Sequence, residues 1–144
     1  VLTEYRDWYQ AHNCVATAPY PGIPALLAAL AKAGIKTAVV SNKPDATTKT
    51  LAARFFPGLP AFGQRDDVPP KPAPDLVFRA LETLGVDAAD AIYVGDSEVD
   101  VATARNAGLP LAAVSWGFRG RRALAEAGAA VIVDAAAELL EVLR

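Results

Sequence analysis

Apolar residues follow two patterns in turn along this chain, and these patterns predict alternating strands and helices. Short apolar runs rich in β-branched residues and bounded by glycine, proline or charge are typical of buried strands. The predicted strands are 35–40, 61–63, 91–94, 111–115 and 130–133. Between them, apolar residues recur at the i, i+3, i+4 and i+7 spacing of a helix face. The predicted helices are 23–33, 45–55, 74–84, 98–107, 122–127 and 136–143. This order predicts an α/β fold, with right-handed crossovers and a parallel sheet.

The first residues follow a different pattern. Residues 2–10 carry aromatic side chains at helical spacing, and residues 16–24 hold three prolines and a glycine, which is typical of a linker. We therefore expect a terminal helix and linker over residues 1–18 and one α/β domain over residues 19–144. With 144 residues, the chain is long enough to bury a core.

Composition narrows the class of protein. The chain is 53% hydrophobic and 21% charged with a net charge of −2, so no basic excess points to nucleic acid. Its apolar stretches are too short to cross a membrane. The single Cys14 excludes an internal disulfide and fits a cytoplasmic location, which we predict. The sequence leaves the oligomeric state undetermined.

A cluster of acids follows the strand predicted at 91–94. Gly95 is expected to permit a sharp exit from the strand, and Asp96, Glu98 and Asp100 then gather where a helix begins. Ligands of open α/β sheets bind at the carboxyl ends of strands, and hard carboxylate oxygens on a tight turn suit Mg²⁺. The alternative is the ordinary preference of a helix N-terminus for negative charge.

Two further loops carry groups that suit a phosphate. Ser41 and Asn42, followed by Lys43, place a hydroxyl and backbone N–H groups at a strand end, although a simple turn and cap is the alternative. Lys71 lies among four prolines that restrict it, although it could be an ordinary surface lysine. A metal, a fixed ammonium and a hydroxyl at one sheet edge are what phosphoryl transfer requires.

Taken in order, these three segments resemble motifs two, three and four of the haloacid dehalogenase superfamily. The segments are Ser41-Asn42-Lys43, Lys71-Pro72 and Gly95-Asp96-Ser97-Glu98-Val99-Asp100. Three further segments resemble the phosphoglycolate phosphatase branch of that superfamily: Pro19-Tyr20-Pro21-Gly22, Lys71-Pro72-Ala73-Pro74-Asp75 and Ser115-Trp116-Gly117-Phe118. The resemblance implies a Rossmann-like three-layer core, with residues 2–10 as the last helix of a small helical cap.

The resemblance also implies a role for each matched residue. Asp96 would coordinate Mg²⁺, and Asp100 would hold a metal-bound water or pair with Lys71. Ser41 and the backbone amide of Asn42 would bind the phosphoryl oxygens. Lys71 would act in catalysis by neutralising the phosphate and the nucleophile. Phosphate would pass through an aspartyl-phosphate intermediate.

One motif of the family is missing from these residues. The Asp-x-Asp pair that would supply the nucleophile and the general acid does not occur in the sequence, which begins at Val1 and contains no methionine. In the family this pair ends a strand at the centre of the sheet, so its loss would leave two half-sheets with unpaired inner edges. We therefore expect the natural protein to have an N-terminal segment with this strand and most of the cap, and the 144 residues alone to be inactive.

The resemblance thus implies a Mg²⁺-dependent phosphomonoester hydrolase acting on a small phosphorylated substrate, with 2-phosphoglycolate as the first hypothesis. Alternatives are another substrate (pyrophosphate, a sugar phosphate or a nucleotide), a phosphomutase, or a non-catalytic domain that binds phosphate or a partner. A metal-free dehalogenase would not need the acidic turn. Glu98 is given no role, and Lys43 could reach the substrate. A solvated surface patch is expected at Arg119, Arg121 and Arg122.

Overall fold

The computed structural model describes residues 19–117 and 119–143. The predicted helix at 2–10 and Cys14 lie outside these residues. Strands and helices alternate as predicted, with one turn of 3-10 helix at Ala88–Asp90. In chain order they are α1 (Ile23–Lys32), β1 (Val39–Pro44), α2 (Asp45–Phe55), β2 (Ala61–Gln64), α3 (Asp75–Leu84), β3 (Tyr93–Gly95), α4 (Glu98–Ala107), β4 (Leu111–Val114), α5 (Arg121–Glu126), β5 (Val131–Val133) and α6 (Ala136–Leu143).

The described strands form two separate sheets, and every pair is parallel. β1 pairs with β2, while β3, β4 and β5 pair in that order. Within the described chain, β1 and β3 therefore have a strand neighbour on one side only. Between them lies a cleft of about 300 Å³, lined by Val40 of β1 and by Tyr93 and Val94 of β3. We call it the inter-sheet cleft. The division into two parallel half-sheets is what the resemblance implied.

Helices cover both faces of the larger sheet and make three layers. Ala112 and Val114 of β4 pack in one cluster with Leu26 of α1 and Leu139 of α6. Side chains alternate across a strand, so the intervening Ala113 faces the opposite side and packs against α4 and α5. Both alanines are fully buried, which is why β4 has no polar face. The predicted α/β class is confirmed.

The predicted boundaries of β1 were wrong. The strand was expected at 35–40 and lies instead at Val39–Pro44. Ile35 belongs to the helix exit, because its N–H donates to the carbonyl of Leu30 at 2.9 Å. Pairing with β2 then continues to Pro44 after an irregularity in register, so Ser41 and Asn42 lie in the strand and not in a turn beyond it.

The start of α2 also differs from the expectation of an Asp45 N-cap. Asp45 is the first helical residue and Pro44 occupies the cap position. The carboxylate of Asp45 accepts instead from the backbone N–H of Gly63 at 3.0 Å and from Lys49 at 2.5 Å. It thereby ties the helix to β2.

Candidate active site

Asp100 is the centre of the acidic turn predicted at the end of β3. It lies in the first turn of α4, where it forms a capping box with Ser97. Its Oδ2 accepts from the backbone N–H groups of Asp96 at 2.9 Å and Ser97 at 3.3 Å, and from the Ser97 hydroxyl at 3.2 Å. These bonds fold the turn back over its own helix. The S-x-x-D spacing was visible in the sequence.

The other oxygen of Asp100 meets a lysine from a distant loop. Lys71 Nζ donates to Asp100 Oδ1 at 2.7 Å and to the Tyr93 hydroxyl at 3.1 Å, and that hydroxyl donates to Asp100 Oδ1 at 3.0 Å. The two charged side chains are 12% and 8% exposed. Both carboxylate oxygens of Asp100 therefore face donors, so this carboxylate positions Lys71 and the turn and is not open to a direct metal bond.

Charge fixes the protonation of this network. Burial by itself raises the pKa of Asp100, but the Lys71 ammonium and the donated hydrogen bonds outweigh it, and the pKa lies below its ordinary value. The pKa of Tyr93 is raised by burial and by the charge of Asp100. At neutral pH the site therefore contains a carboxylate and a neutral phenol.

The side chain of Asn42 holds the backbone of Lys71. Asn42 Nδ2 donates to the Lys71 carbonyl at 3.0 Å, and the Lys71 N–H donates to Asn42 Oδ1 at 2.8 Å. The carbonyl of Pro72, the next residue, accepts from Asn106 of α4 at 2.8 Å. The sequence pointed only to the backbone amide of Asn42 as a phosphate ligand. In the structure, the side chain of Asn42 fixes the loop that carries Lys71.

The predicted site residues do not all line the same cavity. Lys71, Asp96 and Asp100 line the inter-sheet cleft. Ser41 instead lines an adjoining, mostly apolar pocket of about 290 Å³, because alternate side chains of β1 point to opposite sides and Val40 takes the cleft. Ser41 Oγ accepts from the Lys43 N–H at 3.1 Å, which leaves its hydroxyl proton to donate.

The surroundings of Asp96 suit a metal that keeps several waters. Asp96 is half-buried at the carboxyl end of β3. In residues 19–117 and 119–143, no three side chains of His, Cys, Asp or Glu come together to form a metal cage. Mg²⁺ commonly takes one or two carboxylates and fills its other positions with water and phosphate oxygens. The donor set fits that ion.

The remaining charged residues of interest pair at the surface. Glu98 contacts Arg119 at 3.0 Å, and both side chains are exposed. Arg121 pairs with Asp134, and Arg122 pairs with Glu126 on its own helix. These arginines were expected to form a solvated patch, and each contacts a different carboxylate.

Tyr93 was not predicted as a site residue, because it stands in an apolar run that is typical of a buried strand. A buried tyrosine hydroxyl normally needs a partner, and this one stands three residues before the first acid of the turn, so the signal was present. The described strands all pair in parallel, and the buried lysine and the carboxylates lie at the sheet edge where open α/β proteins bind their ligands.

Comparison with known proteins agrees with that class. A family model for haloacid dehalogenase-like hydrolases matches residues 3–108. The chain belongs to this family, as the sequence motifs predicted.

Individual relatives match nearly the whole chain. An N-acetylmuramic acid 6-phosphate phosphatase from Pseudomonas aeruginosa is 36% identical over 97% of this chain and 64% of its own length. A phosphoglycolate phosphatase from Rhodospirillum rubrum is 36% identical over 96% of this chain and 58% of its own length. This chain therefore spans less than two thirds of these relatives.

Solved structures of phosphatases and related proteins also superimpose on nearly the whole of this chain. A predicted phosphatase from Clostridium acetobutylicum superimposes with a TM-score of 0.88 at 32% identity, over 99% of this chain and 67% of that one. CbbY from Rhodobacter sphaeroides, in complex with phosphate, gives 0.77 at 28% identity, over 96% and 64%. In the part of this chain that the structure describes, every helix is too short or too polar for a membrane span.

Proposed function

We propose that the protein is a Mg²⁺-dependent phosphomonoester hydrolase whose substrate is 2-phosphoglycolate. The observation that carries the proposal is the ammonium of Lys71, held by Asp100 and Tyr93 at the cleft that Asp96 also lines. The phosphoglycolate phosphatase named among the relatives supports the substrate. A small phosphorylated partner and a cytoplasmic location belong to the same proposal.

Each residue has a specific task in this proposal. Lys71 presents a fixed positive charge to the phosphoryl oxygens, and its restraint lowers the entropy cost of using it. Asp96 holds the metal, and bound Mg²⁺ supplies charge neutralisation for the transferring phosphoryl group. Asp100 keeps Lys71 and the turn in place. The backbone amide of Asn42 binds a phosphoryl oxygen, and Ser41 donates its hydroxyl proton only to an oxygen that extends into the adjoining pocket.

The chain itself contains no Asp-x-Asp pair, the motif to which the resemblance assigns the nucleophile and general acid. We propose that the 144 residues form the cation-bearing half of the site, and that the activity belongs to the whole protein.

The test is phosphate release from 2-phosphoglycolate by the whole protein, with and without Mg²⁺. We expect release that requires the metal and is lost in Asp96→Asn. Glu98→Gln is the matched control, because it removes an exposed carboxylate two residues away that pairs with Arg119. Release that continues unchanged without metal, or in Asp96→Asn, would contradict the proposal.

A different phosphate ester is the second candidate. The relatives include an N-acetylmuramic acid 6-phosphate phosphatase and a protein of Caldanaerobacter subterraneus named "Putative pyrophosphatase PpaX". N-acetylmuramic acid 6-phosphate, pyrophosphate and a nucleoside monophosphate should therefore be assayed beside 2-phosphoglycolate. The substrate with the highest kcat/KM decides between the candidates.

The third candidate is a domain that binds phosphate or a partner without turnover. Titration calorimetry of the 144-residue chain with MgCl₂ and inorganic phosphate tests binding alone. This candidate is favoured over the hydrolase if the 144-residue chain binds these ligands and the whole protein releases no phosphate from any of the esters.

A further inference from the structure

The ten glycines of the chain divide into two groups. Seven adopt a left-handed φ, where glycine is favoured because it lacks a Cβ. They are Gly22, Gly34, Gly58, Gly85, Gly108, Gly120 and Gly128. The other three have a backbone that other residues adopt, so conformation does not explain them. They are Gly63, Gly95 and Gly117.

Gly117 is a glycine because its surroundings leave no room for a side chain. It lies in the turn that follows β4, across from the end of β3. A Cβ added there would lie 2.7 Å from Asp96 Cγ and closer still to Asp96 Oδ2 and Cβ. Real Cβ atoms essentially never approach so near, and rotating the carboxylate would leave the overlap with the Asp96 Cβ in place. An added methyl group would therefore displace both the carboxylate and one of the two turns.

A second glycine, Gly95, packs against Asp100 in the same way. A Cβ on Gly95 would lie 2.6 Å from Asp100 Oδ2, and closer to the Cβ and Cγ of that residue. The sharp exit first expected of Gly95 needs no left-handed backbone, because its φ is not positive. Its lack of a side chain makes room for Asp100 in the network with Lys71. At both acids that face the inter-sheet cleft, a glycine from the adjoining backbone sets how far the carboxylate can move.

We propose that Gly117 is a positioning residue for Asp96, and that it sets where this carboxylate presents its oxygens to a divalent cation. The inference rests on the proposed function for the cation, and on steric contact alone for the positioning. The turn after β4 then contributes to the metal site without supplying a ligand.

The first test is Mn²⁺ binding to the whole protein, measured by electron paramagnetic resonance with Mn²⁺ as the probe for Mg²⁺. We expect Gly117→Ala to weaken binding by at least about tenfold, the range seen when groups that orient a metal ligand are changed. The matched control is Gly120→Ala in the same loop. Its methyl group meets nothing within 4 Å, and its φ of 79° makes alanine strained, so it should lower the thermal midpoint and leave Mn²⁺ affinity within about twofold of the wild type.

The second test needs no metal. Asp96→Gly removes the side chain that the new methyl group would overlap, so Gly117→Ala should lower the thermal midpoint less in that background than in the wild type. An equal loss in both backgrounds, or Mn²⁺ binding by Gly117→Ala equal to that of the wild type, overturns the inference. If the wild type binds no Mn²⁺, the proposed metal site fails, and the comparison of midpoints alone decides whether Gly117 positions Asp96.

Discussion

Replacing Lys71 by methionine tests the buried ion pair that organises the candidate site. The substitution keeps much of the apolar stem and removes the charge that Asp100 contacts at 2.7 Å. At that distance and an effective dielectric constant of about 20, the attraction is about 6 kcal/mol before desolvation is subtracted. Removing one partner of a buried pair costs about 3–5 kcal/mol, because the other charge stays buried without it. We expect a loss of that size at pH 7.

The pH dependence of this loss distinguishes the ion pair from simple packing. In the wild type, the lowered pKa of Asp100 contributes stability that is present above the ordinary pKa of about 3.9 and is lost as pH falls through the folded value. Without the ammonium, burial raises the pKa of Asp100. The variant should then bind a proton more readily when folded, and the difference from the wild type should shrink as pH falls from 7 to 3.

Urea unfolding of four proteins measures both effects: the wild type, Lys71→Met, Asp100→Asn and the double variant. The amide that Asp100→Asn introduces would turn a donor toward Lys71, and Lys71→Met removes that conflict, so the double variant should lose less stability than the two single losses added together. Additive losses, or a Lys71→Met loss that stays constant between pH 3 and 7, would refute the account given for this pair.

Three further predictions concern single side chains, each measured by urea unfolding. Leu124→Ala should cost about 2–5 kcal/mol, because the side chain is fully buried between α4 and β4; a loss below about 1 kcal/mol would argue against this packing. Arg122→Ala should change stability by less than about 0.5 kcal/mol, since its pair with Glu126 joins side chains that are 93% and 67% exposed. Tyr93→Phe should cost about 1.5–3 kcal/mol at pH 7 through the lost bond to Asp100. Because the pKa of Tyr93 is raised in the folded state, above the ordinary value of about 10 the hydroxyl ionises in the unfolded chain while it stays protonated in the folded one. The wild type therefore loses stability as pH rises above about 10 and Tyr93→Phe does not, so the difference between them should shrink there. A difference that stays constant would show that the pKa of the folded hydroxyl is not raised.

The fold was predictable because its signals are local. β4 has apolar residues on both faces, and the sequence showed this as an uninterrupted run before a turn. β1 was misplaced because Ile35 is also apolar, and hydrophobicity alone does not distinguish a strand residue from one that closes a helix. That distinction depends on the hydrogen bond from Ile35 to Leu30.

The site was predictable in its chemistry and less so in its contacts. Lys71 and Asp100 were paired as one of two options implied by the resemblance, and the structure forms that pair across 29 residues of sequence. The two hydrogen bonds from the Asn42 side chain to the Lys71 backbone could not be predicted, because they depend on how far β1 extends. Gly95 and Gly117 look like ordinary turn glycines, and only the packed structure shows the carboxylates that they accommodate.

The two attachments of Lys71 make its charge sensitive to how the half-sheets are aligned. Asn42 fixes its main chain to β1, whereas Tyr93 and Asp100 fix its ammonium to β3 and α4 on the other side of the cleft. The four methylene groups between these attachments therefore span the junction of the two halves. Any event that widens or closes that junction, however far from the lysine, shifts the ammonium. The charge reaches its working position only when both halves of the domain are correctly assembled.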